Sequence, residues 1–248
     1  GAAGSQLSSS IGGTVHALHA LPGGELLAGG SFTSIDGVAA ENLAIWDGTS
    51  WAAFGGGVSG VGARVSEFAT LPNGDLVVGG TFATAGGVVA NNIARWDGAS
   101  FAPLGAGLAP FPGPLSSGVD VIGLVPMANG ELFVCGRFAT AGAVFANNVA
   151  VWNGSSWSPL GAGLLDQTIY GGWLSSADLL PNGDIVVGAA MPFGGQFFGA
   201  VHRWDGTMWS QYGPHIGELG VQVRSMPGGV VAASTRIGRF DGTLWQPL

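Results

Sequence analysis

The sequence predicts an all-β fold built from five copies of one four-stranded sheet, and three observations carry that reading. A Pro- and Gly-rich turn returns at Pro22-Gly23-Gly24, Pro72-Asn73-Gly74, Pro126 to Gly130, Pro181-Asn182-Gly183 and Pro227-Gly228-Gly229. Its last glycines are spaced 50, 56, 53 and 46 residues apart. An aromatic followed by Asp-Gly or Asn-Gly returns in step with it, at Trp46-Asp47, Trp96-Asp97, Trp152-Asn153, Trp204-Asp205 and Phe240-Asp241. Five residues after each stands another aromatic (Trp51, Phe101, Trp157, Trp209, Trp245), and eight after, an apolar residue (Phe54, Leu104, Leu160, Tyr212, Leu248). A fixed period of this length is the mark of a repeat architecture.

Each element follows in order. The first strand of a repeat is an apolar run ending at the turn, as in residues 65–71. Asn-Gly or Gly-Gly then supplies the positive φ of a tight hairpin. The second strand covers residues 75–80, a longer loop leads to a third at 92–96, and Asp-Gly closes a hairpin into a fourth at 101–104. One such meander cannot bury both faces; stacking meanders radially about an axis does. The expected architecture is a five-bladed β-propeller with four antiparallel strands per blade. It forms one domain over residues 1–248, with blades at roughly 12–55, 62–105, 117–161, 173–213 and 219–248 after a lead-in at 1–11. The aromatic pairs belong between blades, where large rings fill the space between diverging sheets. Small residues end the second strand at Gly29, Gly79, Cys135, Gly188 and Ser234, which implies a backbone crowded by its neighbour and makes Cys135 a buried thiol in a glycine's place.

Composition narrows the partners. Net charge is −8, and the seven basic residues are all Arg and scattered. A phosphate-binding surface needs clustered positive charge, so nucleic acid and anionic membrane are poor partners. One cysteine permits no intrachain disulfide, and no apolar run reaches the ~18 residues of a membrane span. No basic, then apolar leader opens the chain, which starts at Gly1-Ala2-Ala3 like a mature end. A monomer is expected.

A run such as Asn91-Asn92-Ile93-Ala94-Arg95-Trp96-Asp97-Gly98, with Gly79-Gly80 before it and Pro103-Leu104-Gly105 after it, resembles kelch repeats of the galactose-oxidase central-domain type. It is also similar to repeats of fungal cortical cell-polarity marker proteins and related bacterial surface proteins. The resemblance spans nearly the whole chain. It implies a propeller and an extracellular or cell-surface setting. Blades 4 and 5 depart from it, with Gly188-Ala189 and Ser234-Thr235 where the others have Gly-Gly or Cys-Gly.

Function is expected where the chain departs from its own average, since variable loops on a rigid scaffold carry binding. The distance from turn glycine to third-strand aromatic is 22, 22, 22, 21 and 11 residues, so blade 5 lacks most of its central loop. The crossings into blades 3 and 4 and the residue 191–198 loop supply a candidate ligand surface: Phe111, Phe145, Tyr170, Trp173, Phe193, Phe197 and Phe198. The rings could equally pack on one another to hold long loops.

A second candidate lies on the axis. Counting back three from each turn proline gives His19, Ala69, Gly123, Asp178 and Arg224; counting back six gives His16, Ser66, Asp120, Ser175 and Val221. His19, Asp178 and Arg224 are candidate ligand contacts there, with an Asp178–Arg224 ion pair in a solvated channel as the plainer reading. Eight of 15 acids serve the repeat turns, leaving Asp36, Glu41, Glu67, Asp120, Asp166, Asp178 and Glu218 for chemistry. No metal or cofactor is expected. The four His and Cys135 have no zinc spacing, no Asp-rich calcium loop stands out, and no Gly-x-Ser-x-Gly elbow is present. Copper-radical chemistry of the galactose-oxidase kind needs a Tyr–Cys pair, and neither Tyr170 nor Tyr212 forms a motif with Cys135. The main expectation is therefore a non-catalytic binding or scaffolding module for a protein or glycan. The alternatives are a glycoside hydrolase-like or other small-substrate enzyme using acids at the channel mouth, and a purely structural repeat of a larger surface protein.

Overall fold

The computed structural model describes residues 10–247 apart from 114–117, 165–172, 194–195, 217–220, 227–228, 234–236 and 242. All regular structure among them is β. Five sheets, each with a first-to-fourth strand meander, follow one another along the chain. In the second sheet the strands are Arg64–Thr70, Leu76–Thr81, Ile93–Trp96 and Phe101–Pro103, within a residue or so of the expected spans. The first strands of the other sheets are Ile11–Ala20, Asp120–Pro126, Trp173–Leu179 and Gln222–Met226.

The aromatic signature is the seam between sheets. Each pair sits edge-on or tilted at close range, as in Trp96–Phe101 (4.9 Å), Trp152–Trp157 (5.2 Å) and Trp204–Trp209 (5.4 Å). The apolar residue eight positions on seats against the next sheet's pair: Phe54 lies 5.0 Å from Trp96, and Tyr212 4.7 Å from Phe240. The indole N–H groups complete the seam. Trp157 Nε1 donates to the Leu104 carbonyl (2.8 Å), Trp209 to Leu160 (3.1 Å) and Trp245 to Pro214 (3.0 Å), each in the sheet before. Burying Trp at low cost requires such a partner for its N–H.

The crowding expected at the end of the second strand is present. A methyl on Gly29 would lie 2.5 Å from Val65 Cγ1 and 2.7 Å from the Phe68 ring, and one on Gly79 would lie 3.0 Å from Val121 Cβ. First strands of one sheet therefore press on the second strand of the sheet before. Cys135 is fully buried at the same place; burial pushes its thiol pKa far up. Ser234 lies outside the described residues.

The Asp-Gly turns explain the recurring acids. Asp47 Oδ1 accepts the backbone N–H groups of Thr49 (2.7 Å) and Ser50 (2.8 Å), and Asp97, Asn153, Asp205 and Asp241 repeat the pattern. Those bonds hold the Asp47 carboxyl down at about 2, and the Thr207 hydroxyl together with the backbone bonds holds Asp205 at about 2.

Three corrections concern the loops. The turn of the third sheet has the same length as the second's, with Met127 in the hydrogen-bonding role of Leu71, but its proline stands two positions earlier, before Met127. Its proline is thus out of step, and Val125, not Gly123, is the equivalent of Ala69, as its pairing with Phe133 shows. Residues 191–198 are no loose loop; they prolong a hairpin in which Met191, Pro192 and Phe193 pair with Phe198, Phe197 and Gln196. In sheets 2 and 3 the central loop instead forms a small three-stranded ribbon with the crossing segment before it.

An asparagine four residues before the aromatic anchors these loops. Asn42, Asn92 and Asn148 have φ of 66°, 75° and 77°, a left-handed conformation that Asn tolerates better than most residues. Each accepts from an N–H in or just past the second strand and donates to the crossing that leaves for the next sheet: for Asn92, Phe82 N at 3.1 Å and Leu108 O at 2.8 Å. Sheets 4 and 5 carry Ala200 and Arg236 there. Because Asn148 is fully buried, Asn148→Ala strands the Phe138 N–H and Leu164 carbonyl. It should cost about 1–3 kcal/mol of unfolding free energy in denaturant titrations.

Candidate active site on the axis

The first strands turn their polar positions toward a common cavity. Each of the first four has a bulge in its pairing, between Val15/Ala17, Val65/Glu67, Val121/Gly123 and Leu174/Ser176. The bulge places Ala17, Glu67, Gly123, Ser176 and Gln222 in one register row, opposite Gly29, Gly79, Cys135, Gly188 and Ala233. A cavity of about 440 Å³ opens among the first strands of sheets 2 to 5, lined by Glu67, Ser175, Asp178, Gln222 and Arg224 among others.

Glu67 is the group with unusual chemistry. It is half-buried, and burial pushes its carboxyl up to about 7, with the Arg224 guanidinium opposing the shift. Desolvation wins because the carboxylate sits between packed sheets. A carboxyl that titrates near neutrality in a polar cavity is suited to proton transfer.

Asp178 is held differently. Its Oδ1 accepts from Leu179 N and its Oδ2 from Ser225 N, both at 2.8 Å, so its carboxyl bridges sheets 4 and 5. The ion pair expected with Arg224 is absent from those formed among the described residues: Arg64–Asp120, Arg95–Asp75 and Arg203–Asp184. Arg224 is exposed at the cavity and donates to its neighbour's carbonyl, Val223 O, at 3.3 Å. Asp178 is satisfied by two backbone donors in place of the guanidinium. His19 belongs to the seam between sheets 1 and 2, donating to or accepting from Thr70 Oγ1 at 2.7 Å and facing Phe68. Burial lowers its pKa. Asp120 is spent on Arg64 (3.0 Å) and Ser66 (3.2 Å) and does not line the cavity.

The aromatic candidates are spread. Phe145 (64% exposed) and Trp173 (40% exposed) face solvent, whereas Phe111 is half-buried. Phe198 lies against His215, ring centres 6.2 Å apart. The backbones of Phe193 and Phe197 pair within their hairpin, their side chains lying outside what is described, as does Tyr170 altogether. A larger cavity, about 510 Å³, lies at the hairpin turns of sheets 2 and 3, but its charges, Asp75 and Arg95, satisfy each other at 2.6 Å.

Glu67 was one of seven acids free of turn duty, and no proline count reached it. Counting back seven from each turn glycine finds the row Ala17, Glu67, Gly123, Ser176 and Gln222, in which one acid stands among small and amide residues.

Comparison with known proteins places the fold as a β-propeller. The model of "Domain of unknown function (DUF5122) beta-propeller" matches residues 71–96. No curated protein matches the chain. Among solved structures, it is similar to a polysaccharide lyase of family PL25, an ulvan lyase, with a TM-score of 0.52 and 10% identity over 93% of this chain and 68% of that one. A structure of the PL25 ulvan lyase bound to -[GlcA(1-4)Rha3S]- matches with a TM-score of 0.50 and 11% identity over the same shares. These findings overturn the expectation of a non-catalytic scaffold: the neighbours are enzymes, one with an oligosaccharide bound, and the axis holds an acid with a displaced pKa.

The raised Glu67 pKa has a consequence for stability. The folded state holds the proton longer than the unfolded state, so Glu67 costs nothing below its ordinary 4.5 and destabilises progressively as pH rises toward about 7. Denaturant unfolding at both ends of that window should show Glu67→Gln gaining stability over wild type only at the upper end; an equal difference at both would contradict the assignment.

Proposed function

We propose that this chain is a glycan-processing enzyme that works at the axial cavity, with Glu67 as its proton-transfer group. One observation carries the reading: a carboxyl poised at about 7 faces Arg224 within a 440 Å³ polar cavity. The propeller neighbours, a polysaccharide lyase free and with saccharide bound, support it. In a lyase reaction, Glu67 takes the proton from the carbon beside a uronate carboxylate, Arg224 offsets the charge that develops on that carboxylate, and the glycosidic C–O bond breaks as the ring double bond forms. The leaving oxygen takes that proton back from Glu67, which returns the carboxylate to its starting form. Electrostatic stabilisation of this kind is worth most where water is scarce, as around the desolvated Glu67 carboxyl.

A second reading is favoured by Asp178, which lines the same cavity. Paired carboxyls, one with a raised pKa, are the equipment of a glycoside hydrolase. The scaffold of either enzyme is read as a kelch-like, five-bladed propeller, on the strength of five sheets each bearing the same aromatic seam. Exposed Phe145 and Trp173 suit stacking on sugar rings, and an exported enzyme acting on a polymer suits the sparse charge of the chain.

Incubation with uronate-containing and neutral polysaccharides tests this. Elimination yields a new absorbing double bond, whereas hydrolysis yields reducing ends alone. Glu67→Gln should lower kcat by about 10²–10⁴ with KM little changed. A Glu67→Gln variant as active as wild type would remove the proposal.

A further inference from the structure

The eighth residue after each third-strand aromatic fills the seam to the next sheet, and its size differs along the chain. Phe54 and Tyr212 are rings, packed against Trp96 at 5.0 Å and Phe240 at 4.7 Å. Leu104 holds the same place between sheets 2 and 3, in one core with Trp152. There the cavity of about 510 Å³ opens, with Leu104 and Trp152 in its wall. It shares no lining residue with the axial cavity.

An ion pair borders this cavity, and its counterpart in sheet 4 is closed off. Arg95 pairs with Val77 and Ala102 as Arg203 pairs with Val186 and Ser210, so the two arginines hold one register. Arg203 gives both Nε and Nη2 to Asp184 Oδ2, and the Tyr212 ring centre lies 6.0 Å from its guanidinium carbon. Arg95 instead reaches Asp75 Oδ2 through Nη1 at 2.6 Å, and Asn73 donates to the same oxygen at 2.8 Å. Among the described residues, Asp75 Oδ1 and Arg95 Nε and Nη2 form no hydrogen bond. The Arg95 side chain is 41% exposed. Leu160 also stands where the rings do, but Val151 replaces the arginine beside it.

The chemistry of the wall selects an uncharged ligand. An ionic one would have to break the pair and leave one of its charges unmatched. What the pair offers is guanidinium donors beside a carboxylate acceptor, the complement of two adjacent hydroxyls, each of which both donates and accepts. Pro103, Leu104 and Trp152 supply apolar surface for the C–H face of a ring. Tyr212 shows that a hydroxyl-bearing six-membered ring fits the repeat at this place.

We propose that the cavity between sheets 2 and 3 binds an uncharged pyranose residue of a saccharide. Its vicinal hydroxyls bridge Asp75 and Arg95, and its apolar face lies against Leu104 and Trp152. The site is separate from the axial chemistry and does not rest on it.

Nuclear magnetic resonance titration of the isotope-labelled chain with cellohexaose, mannohexaose and maltohexaose tests this. At least one should shift the amides of Asn73, Arg95 and Gly130, which line the cavity. Arg95→Gln should weaken that binding about tenfold or more, the loss of a hydrogen bond to a charged group. Leu104→Tyr, which installs the ring of sheet 4, should abolish it; Arg95→Gln, at a half-exposed position, decides the matter should the larger ring disturb the core. Three saccharides that leave those amides unmoved would overturn the proposal. So would Arg95→Gln binding as tightly as wild type, or shifts produced there by p-cresol and by none of the sugars. Glu67 lies outside this cavity, so failure of either reading leaves the other standing.

Discussion

One constraint governs the molecule: a four-stranded sheet of this repeat has two apolar faces and can hide neither by itself. Each is covered only by the neighbouring sheet, and the closest approach falls where Val65 and Phe68 meet Gly29 and Val121 meets Gly79. A side chain at those glycines would hold the sheets apart and open the seam along its length. The aromatic pairs and their indole-to-carbonyl bonds follow from the same contact, because they occupy the wider outer part of the wedge between sheets.

The cavity on the axis is a by-product of that stacking. First strands converge where the wedge is narrowest, and their bulges rotate one residue in each out of the regular alternation. In sheets 1, 2 and 3 that residue is His16, Ser66 or Ile122, and the one that resumes the pairing beside the cavity row is Ala17, Glu67 or Gly123. A carboxyl placed there loses water on both sides, and Arg224, reaching in from sheet 5, does not restore the lost hydration. Asp178 escapes the same fate by accepting two backbone N–H bonds. Two acids a few strands apart thus acquire different roles from the packing around them.

Loop anchoring divides the chain in two. Sheets 1 to 3 fix the crossing to the next sheet through Asn42, Asn92 and Asn148, whose side chains tie an N–H in or just past the second strand to a crossing carbonyl. Sheet 4 has Ala200 at that place and extends its hairpin to Phe193 and Gln196 instead. Where no side chain competes for the backbone, the strands keep pairing with each other.

By itself, the sequence determined the strands, the turns and the seam, because these depend on period and local chemistry: Asn-Gly and Asp-Gly set hairpins wherever they occur, and a fixed aromatic spacing meets a fixed partner in the next sheet. It also marked Asp178 and Arg224 as axial, while misaligning the third repeat, whose proline stands two positions earlier in a turn of the same length. Only the tertiary structure decided that Glu67, not Asp120, shares the cavity with them, and that Arg224 leaves Asp178 unpaired. Whether an acid is desolvated, bonded to backbone N–H groups or salt-bridged depends on which strands converge around it. That is a property of several distant segments at once, and no spacing along one segment encodes it.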